Sequence, residues 1–213
     1  MGATAISAPP TDGGFQNQDE RSAATRKKLM DGAYQILRRL GHAGLRSANI
    51  AEESGVSRGG LLHHYASKEL LIAAVCERIF NEMEEESWQR ISETSDENIL
   101  SAIVKDARDR FFDESFIVLL DILVASRDEA PVADVRGKFA DRDRSLARDA
   151  WANRLAATGV DRRTARLVTG FLWNAVKGMA IRTLVREDKE HEERAIALAL
   201  QLAEQQCASA RMT

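Results

Sequence analysis

The scarcity of helix breakers constrains this chain more than any other feature. Three prolines occur in 213 residues; two adjoin at Pro9 and Pro10, and only Pro131 interrupts the two hundred or so residues beyond them. The remainder is rich in Ala, Leu, Glu and Arg, its apolar residues return every three or four positions, and no alternating run of β-branched residues is long enough for a sheet. The implied fold class is all-α, with about nine helices.

Residues 1–20 mix Gly, Pro, Thr, Gln and Asp without periodicity. Such a composition cannot bury enough apolar surface to offset its ordering entropy, and it reads as a disordered arm. A first helix spans 22–40, with Leu29, Ala33, Ile36, Leu37 and Leu40 on one face, Arg38 and Arg39 near its C-terminal dipole and Gly41 to end it. A second, 47–54, turns Ile50 and Ala51 inward. Gly55 then supplies the permissive backbone of a tight turn, Val56 plugs the angle, and Ser57 caps a third helix, 58–64, whose Leu61 packs towards Ile50. Ser67 caps a long fourth helix with Glu69 in its first turn. Leu71, Val75, Ile79 and Met83 mark the buried face of this helix, which links a helix-turn-helix head, 21–67, to a helical body, 68–213.

In the body, helices are expected over 96–110, 114–126, 131–157, 161–186 and 190–207. The first carries Ile99, Ile103 and Ala107; the second is apolar nearly all round and should lie centrally; the third is amphipathic through Val132, Val135, Phe139, Leu146 and Trp151. The runs Asp141–Arg144 and Glu84–Glu86 read as solvated helix faces.

Charge separates the two parts. Arg21, Arg26, Lys27, Lys28, Arg38, Arg39, Arg46, Arg58 and Lys68 face only Asp31, Glu52 and Glu53, about +6 in a chain whose net charge is −3. Cys76 and Cys207 are far apart with no CxxC, which suits buried reduced thiols. No run of about eighteen apolar residues and no signal segment is seen, so a cytoplasmic protein without a membrane partner is expected. His63 and His64 point about 100° apart on a helix and cannot chelate one ion together. No nucleophile–base pair, paired carboxylates or metal spacing appears, so neither enzyme activity, cofactor nor metal is expected.

The segment TRKKLMDGAYQILRRLG, followed by IAEESGVSRGGLLHHYASKELL, resembles the TetR family of bacterial transcriptional regulators. Ile50, Ala51, Gly55, Val56, Ser57, Gly59, Leu61, His63, Tyr65, Ser67, Lys68 and Glu69 carry the resemblance. It implies a homodimer whose paired heads hold a double-stranded palindromic operator, and a body that binds a small-molecule effector and releases the DNA, so that the chain acts as a repressor. Two recognition helices must then stand about 34 to 36 Å apart, one duplex turn. Arg58 can reach a guanine edge with two bonds, and the Ser57 hydroxyl suits a phosphate. Gly59 lets the backbone approach the duplex, while the resemblance implies phosphate contacts at His63, Lys68, Thr25 and Arg26, the last two at the start of the first helix. Gly60, Leu62, His64 and Arg46 depart from the family pattern. Gly60 loses a hydroxyl, Leu62 keeps apolar contact with a thymine methyl, and Arg46 leaves Ser47 as substitute cap. These positions, Arg46, Gly60 and Leu62 included, form the expected DNA-binding set.

For the effector, Trp88, Phe112, Phe116, Leu120, Trp151, Phe171 and Asn174 are the candidate lining, with Asn174 as polar anchor; core packing and, for Asn174, a dimer contact are the alternatives. Val168, Leu172, Val176, Met179, Leu198 and Leu202 are the candidate dimer contacts, and Gly170 and Gly178 permit close helix approach, between subunits or within one. Two other functional readings remain at this point: a helical small-molecule carrier or enzyme with a vestigial head, and a regulator without a small-molecule trigger.

Overall fold

The computed structural model describes residues 13–126, 130, 131, 133, 134, 137 and 146–211. Nine bounded α-helices lie among them: α1 (Gly13–Leu40), α2 (Ser47–Ser54), α3 (Arg58–His64), α4 (Lys68–Glu93), α5 (Ile99–Phe111), α6 (Glu114–Ala125), α7 (Leu146–Ala157), α8 (Arg162–Thr183) and α9 (Lys189–Arg211). No strand occurs among the described residues, and the all-α class holds. Residues 1–12, Val132, Val135, Phe139 and the run Asp141–Arg144 lie outside the described residues. Contacts divide the chain into one unit ending at Leu71 and another beginning at Ile72.

The head is built on aliphatic side chains. Leu29, Ala33, Ile36 and Leu37 of α1 are buried with Leu45, Ile50 of α2 and Leu61 of α3. Each large side chain so buried stabilises the head by about 1.5 to 3 kcal/mol. α1 begins at Gly13, so residues 13–20, expected in the arm, are helical. Composition tells whether a segment can fold by itself; adding turns to a helix already anchored at Leu29–Leu37 needs no new nucleus.

In the body, α5 packs on α8, α8 also on α7 and α9, and α9 on α5. α5 and α8 are therefore central, rather than the more apolar α6, which buries Phe116, Val118, Leu119 and Ile122 but leaves Val124 exposed. The centre belongs to the helices with neighbours on several sides, whatever their mean hydropathy. Asp161 starts α8 by accepting the amides of Arg163 and Thr164 at 2.9 and 3.1 Å. Cys76 and Cys207 are free and buried. Burial pushes the Cys76 thiol up to about 12 and that of Cys207 upwards, which suits inert packing groups. No helix among the described residues is long and apolar enough to cross a membrane.

Candidate nucleic-acid interface

α2 starts after Arg46, which is extended and makes no side-chain cap bond. Ser47, the expected substitute cap, is itself the first helical residue. The start of α2 is fixed instead by Asn49, whose Nδ2 donates to the Gly44 carbonyl at 2.8 Å. Gly55 then turns the chain with φ 65° and ψ 21°, the left-handed conformation that a side chain disfavours. Ser57 is extended, and its Oγ accepts the Gly60 amide at 3.1 Å, capping α3. Leu61 fastens the helix to the core from its inner side.

The outer side of α3 presents Arg58, Gly59, Leu62 and His63, with Ser57 exposed at its start. Leu62 is 60% exposed, an apolar side chain held in water on a helix that has an apolar face elsewhere. Gly59 has open space where a Cβ would stand, apart from the Ser57 Oγ at 4.0 Å. Gly60 differs. A Cβ there would lie 2.9 Å from Val56 Cγ1 and 3.3 Å from Ser57 Oγ, so this position faces the turn.

Thr25 is also placed differently than expected. α1 begins twelve residues before it, and its Oγ1 donates to the Arg21 carbonyl at 2.8 Å. Thr25 therefore lies in the interior of α1 and not at its N-terminus. Arg26 is exposed, and it acts electrostatically on His64. The His63 and His64 rings stand 5.2 Å apart, edge to face. Partial loss of solvent, then His63, then Arg26 hold His64 below its ordinary value of 6.5. Arg26, His63 and His64 thus form a basic corner at the end of α3. Arg46 is exposed and Lys68 half-buried as the first residue of α4. Among the head cations, Lys27 is neutralised by Asp31 at 2.9 Å and Arg39 by Glu53 at 2.5 Å.

The residues expected to line an effector site differ in their surroundings. Cavities of about 290, 340 and 330 Å³ in the body take in only Phe112 of the seven residues. Trp88, Phe171 and Asn174 are exposed, Leu120 is half-buried, and Phe116 packs edge to face on Phe111 at 5.0 Å between ring centres. Trp151 is fully buried and donates its Nε1 to Asp106 Oδ2 at 2.8 Å. It is a member of a buried polar cluster that the pattern of apolar residues missed. Asp106 Oδ1 accepts Ser87 Oγ at 2.9 Å and Arg90 at 2.8 Å, while Arg110 donates to the Met83 carbonyl, Ser87 and Glu84 at 2.9 to 3.1 Å. The available signal was Asp106 and Arg110, an acid and a base four apart on the face of α5 that also carries Ile103 and Ala107.

Dimer candidates separate in the same way. Val168, Leu172, Val176 and Met179 are already buried within the single chain. Leu198 and Leu202 of α9 are exposed, as are Leu167, Phe171 and Ile181 of α8. Periodicity alone places the outer apolar face of α8 one position out of phase, because α8 carries apolar residues on two sides and the inner side is set by α5 and α7.

A capped seven-residue helix, braced from behind by a second helix and an aliphatic core and turning cations and one exposed leucine outward, defines a helix-turn-helix DNA-binding protein. Residues 29–75 match the family model described as bacterial regulatory proteins, tetR family. Over 194 residues, 91% of this chain and 96% of the relative, the sequence is 31% identical to the HTH-type transcriptional regulator CymR of Pseudomonas putida. The chain belongs to the TetR family of transcriptional regulators. The fold is shared with a TetR transcription regulator from Haloarcula marismortui (TM-score 0.68, 21% identity, 88% of this chain and 98% of that one). It is shared also with a transcriptional regulator from Saccharomonospora viridis solved in complex with choline (TM-score 0.69, 16% identity, 85% and 96%).

Proposed function

We propose that this regulator is a homodimeric repressor that binds a palindromic operator through α3 and is released when a small molecule enters the body. The observation that carries the proposal is the outer face of α3. Arg58 offers the two parallel donors that fit a guanine edge, and Leu62 offers the apolar contact that fits a thymine methyl. Arg26, Arg46, Ser57, His63 and Lys68 flank them as phosphate contacts, which set register without reading sequence.

Exposed Leu167, Phe171 and Ile181 on α8, with Leu198 and Leu202 on α9, support pairing of two subunits through these helices. Leu167 is 66% and Phe171 45% exposed, more apolar surface than an isolated helix pair has reason to show. A small-molecule trigger is supported by polar atoms buried without partners on α5 and α8: Arg110 Nε, Thr169 Oγ1 and Trp173 Nε1. The Arg110 guanidinium carbon lies 5.1 Å from the centre of the Trp173 ring. Such donors suit a ligand that brings acceptor oxygens.

The test is binding of purified protein to its promoter fragment over a range of salt. A steep fall in affinity with salt is expected, and Arg58→Ala should weaken specific binding by about 1 to 3 kcal/mol while leaving non-specific binding nearly unchanged. Salt-independent binding, or an Arg58→Ala variant that reads its operator as well as the parent, would overturn the proposal.

A further inference from the structure

Where α5 ends and α8 gives way to α9, the body holds a cavity of about 340 Å³. Arg108, Phe112, Glu187, Lys189, Glu192 and Glu193 line it. Its volume is at the lower end of clefts that hold small molecules, about 300 to 1,000 Å³. Glu192 is only 5% exposed, and its Oε1 is buried with no hydrogen-bond partner. A carboxylate withdrawn from water in this way destabilises the fold unless something supplies a donor.

The neighbouring cations do not supply it. Lys189 Nζ lies 3.4 Å from Glu187, Arg182 is turned to Asp188 at 3.6 Å, and the Arg108 guanidinium carbon stands 5.7 Å from the centre of the Phe112 ring. Three carboxylates against two cations leave the lining with an excess negative charge. Among the described residues no three His, Cys, Asp or Glu side chains are grouped to hold a metal ion. Phe112 adds an aromatic wall, 37% exposed, beside the carboxylates.

We propose that this cavity binds a small organic ammonium, with Glu192 as its charge partner and Phe112 as the wall on which its carbon skeleton lies. The cation donates N–H to the orphan carboxylate, and its apolar arm keeps water from the pair, which strengthens the attraction. This site uses none of the residues assigned to DNA, and its lining does not include Arg110, Thr169 or Trp173. It therefore holds or fails independently of the operator-binding proposal.

Calorimetric titration of the full-length protein tests it, with phenethylamine as probe and 2-phenylethanol and 3-phenylpropionate as neutral and anionic counterparts. One phenethylamine per subunit should bind, and the alcohol and the acid should bind at least about tenfold more weakly, a difference of about 1.4 kcal/mol. Glu192→Gln, which keeps the shape and removes the charge, should lose that preference for the amine, and Phe112→Leu should weaken all three probes alike. Should Glu192→Gln fail to fold, the ranking of amine over alcohol in the parent protein decides by itself. No binding of phenethylamine up to about 10 mM, equal binding of the alcohol, or an unchanged preference in Glu192→Gln overturns the proposal.

Discussion

The head and the body are held together by different chemistry. Every buried side chain of the head core is aliphatic, from Leu29 through Ile50 to Leu61, whereas the buried polar side chains among the described residues, Ser87, Asp106, Arg110, Ser126, Thr169 and Glu192, all belong to the body. An aliphatic core, with α3 capped by Ser57, specifies one rigid shape and leaves the chemistry on the outside, as recognition of a duplex requires. A core with polar groups inside carries its chemistry inwards. Some of those groups are fully engaged, as at Asp106, and others have no partner, as at Thr169 and Glu192. That contrast accords with the proposed division of labour, DNA recognition on the surface of one unit and ligand chemistry in the interior of the other.

The largest expected effect that could break the contrast is at Asp106. Asp106→Ala leaves Trp151 Nε1 and Ser87 Oγ without their acceptor and takes from Arg90 its buried carboxylate partner, while Glu86 and Asp109 remain to it, and buried polar groups left unsatisfied in this way cost about 1 to 3 kcal/mol. Urea unfolding followed through tryptophan fluorescence should show this in full, since all three tryptophans, Trp88, Trp151 and Trp173, are in the body. A change no larger than that of a surface substitution would show that the polar cluster does not hold the body.

A smaller effect sharpens the other side of the comparison. Ser57→Ala removes the α3 cap and should lower stability by about 1 kcal/mol. Far-ultraviolet circular dichroism should report the loss, with operator affinity reduced at the same time. Retention of both would mean that α3 is held by Leu61 alone.

The smallest effect is one of pH. His64 is held below its ordinary value in the folded head, so the unfolded chain takes up the proton first. Its contribution to stability is present above pH 6.5 and is lost as pH falls through 6.5 towards the folded value. Urea midpoints should therefore decline less between pH 7.5 and 5.5 in His64→Gln than in the parent. Bound operator should reduce the difference, because nearby phosphates favour the imidazolium. A steeper decline in the variant would reverse the sign of the assignment.

Much of the head is legible in the sequence. Gly55 and Ser57 act through their own backbone and their nearest neighbours in the chain, so their turn and cap are set by residue type and spacing. The bounds of α2 and α3 could be read for the same reason. The close approach of Val56 to Gly60 could not, since it is set in the folded turn. Helix positions in the body were also legible, but the ends of α1 and α9 extend beyond the expected limits, because an anchored helix propagates through residues that would not start one.

By itself the sequence determined the all-α class, the basic head and the motif that marks it as a DNA reader, all of which depend on local periodicity and on charge counted along the chain. Tertiary structure alone decided which side of α8 is inside, that Trp151 joins Asp106 rather than lining a pocket, and that Glu192 is buried without a partner. Those facts depend on which helices meet across long separations in sequence. A helix with apolar residues on two faces carries no local sign of which face its neighbours will cover.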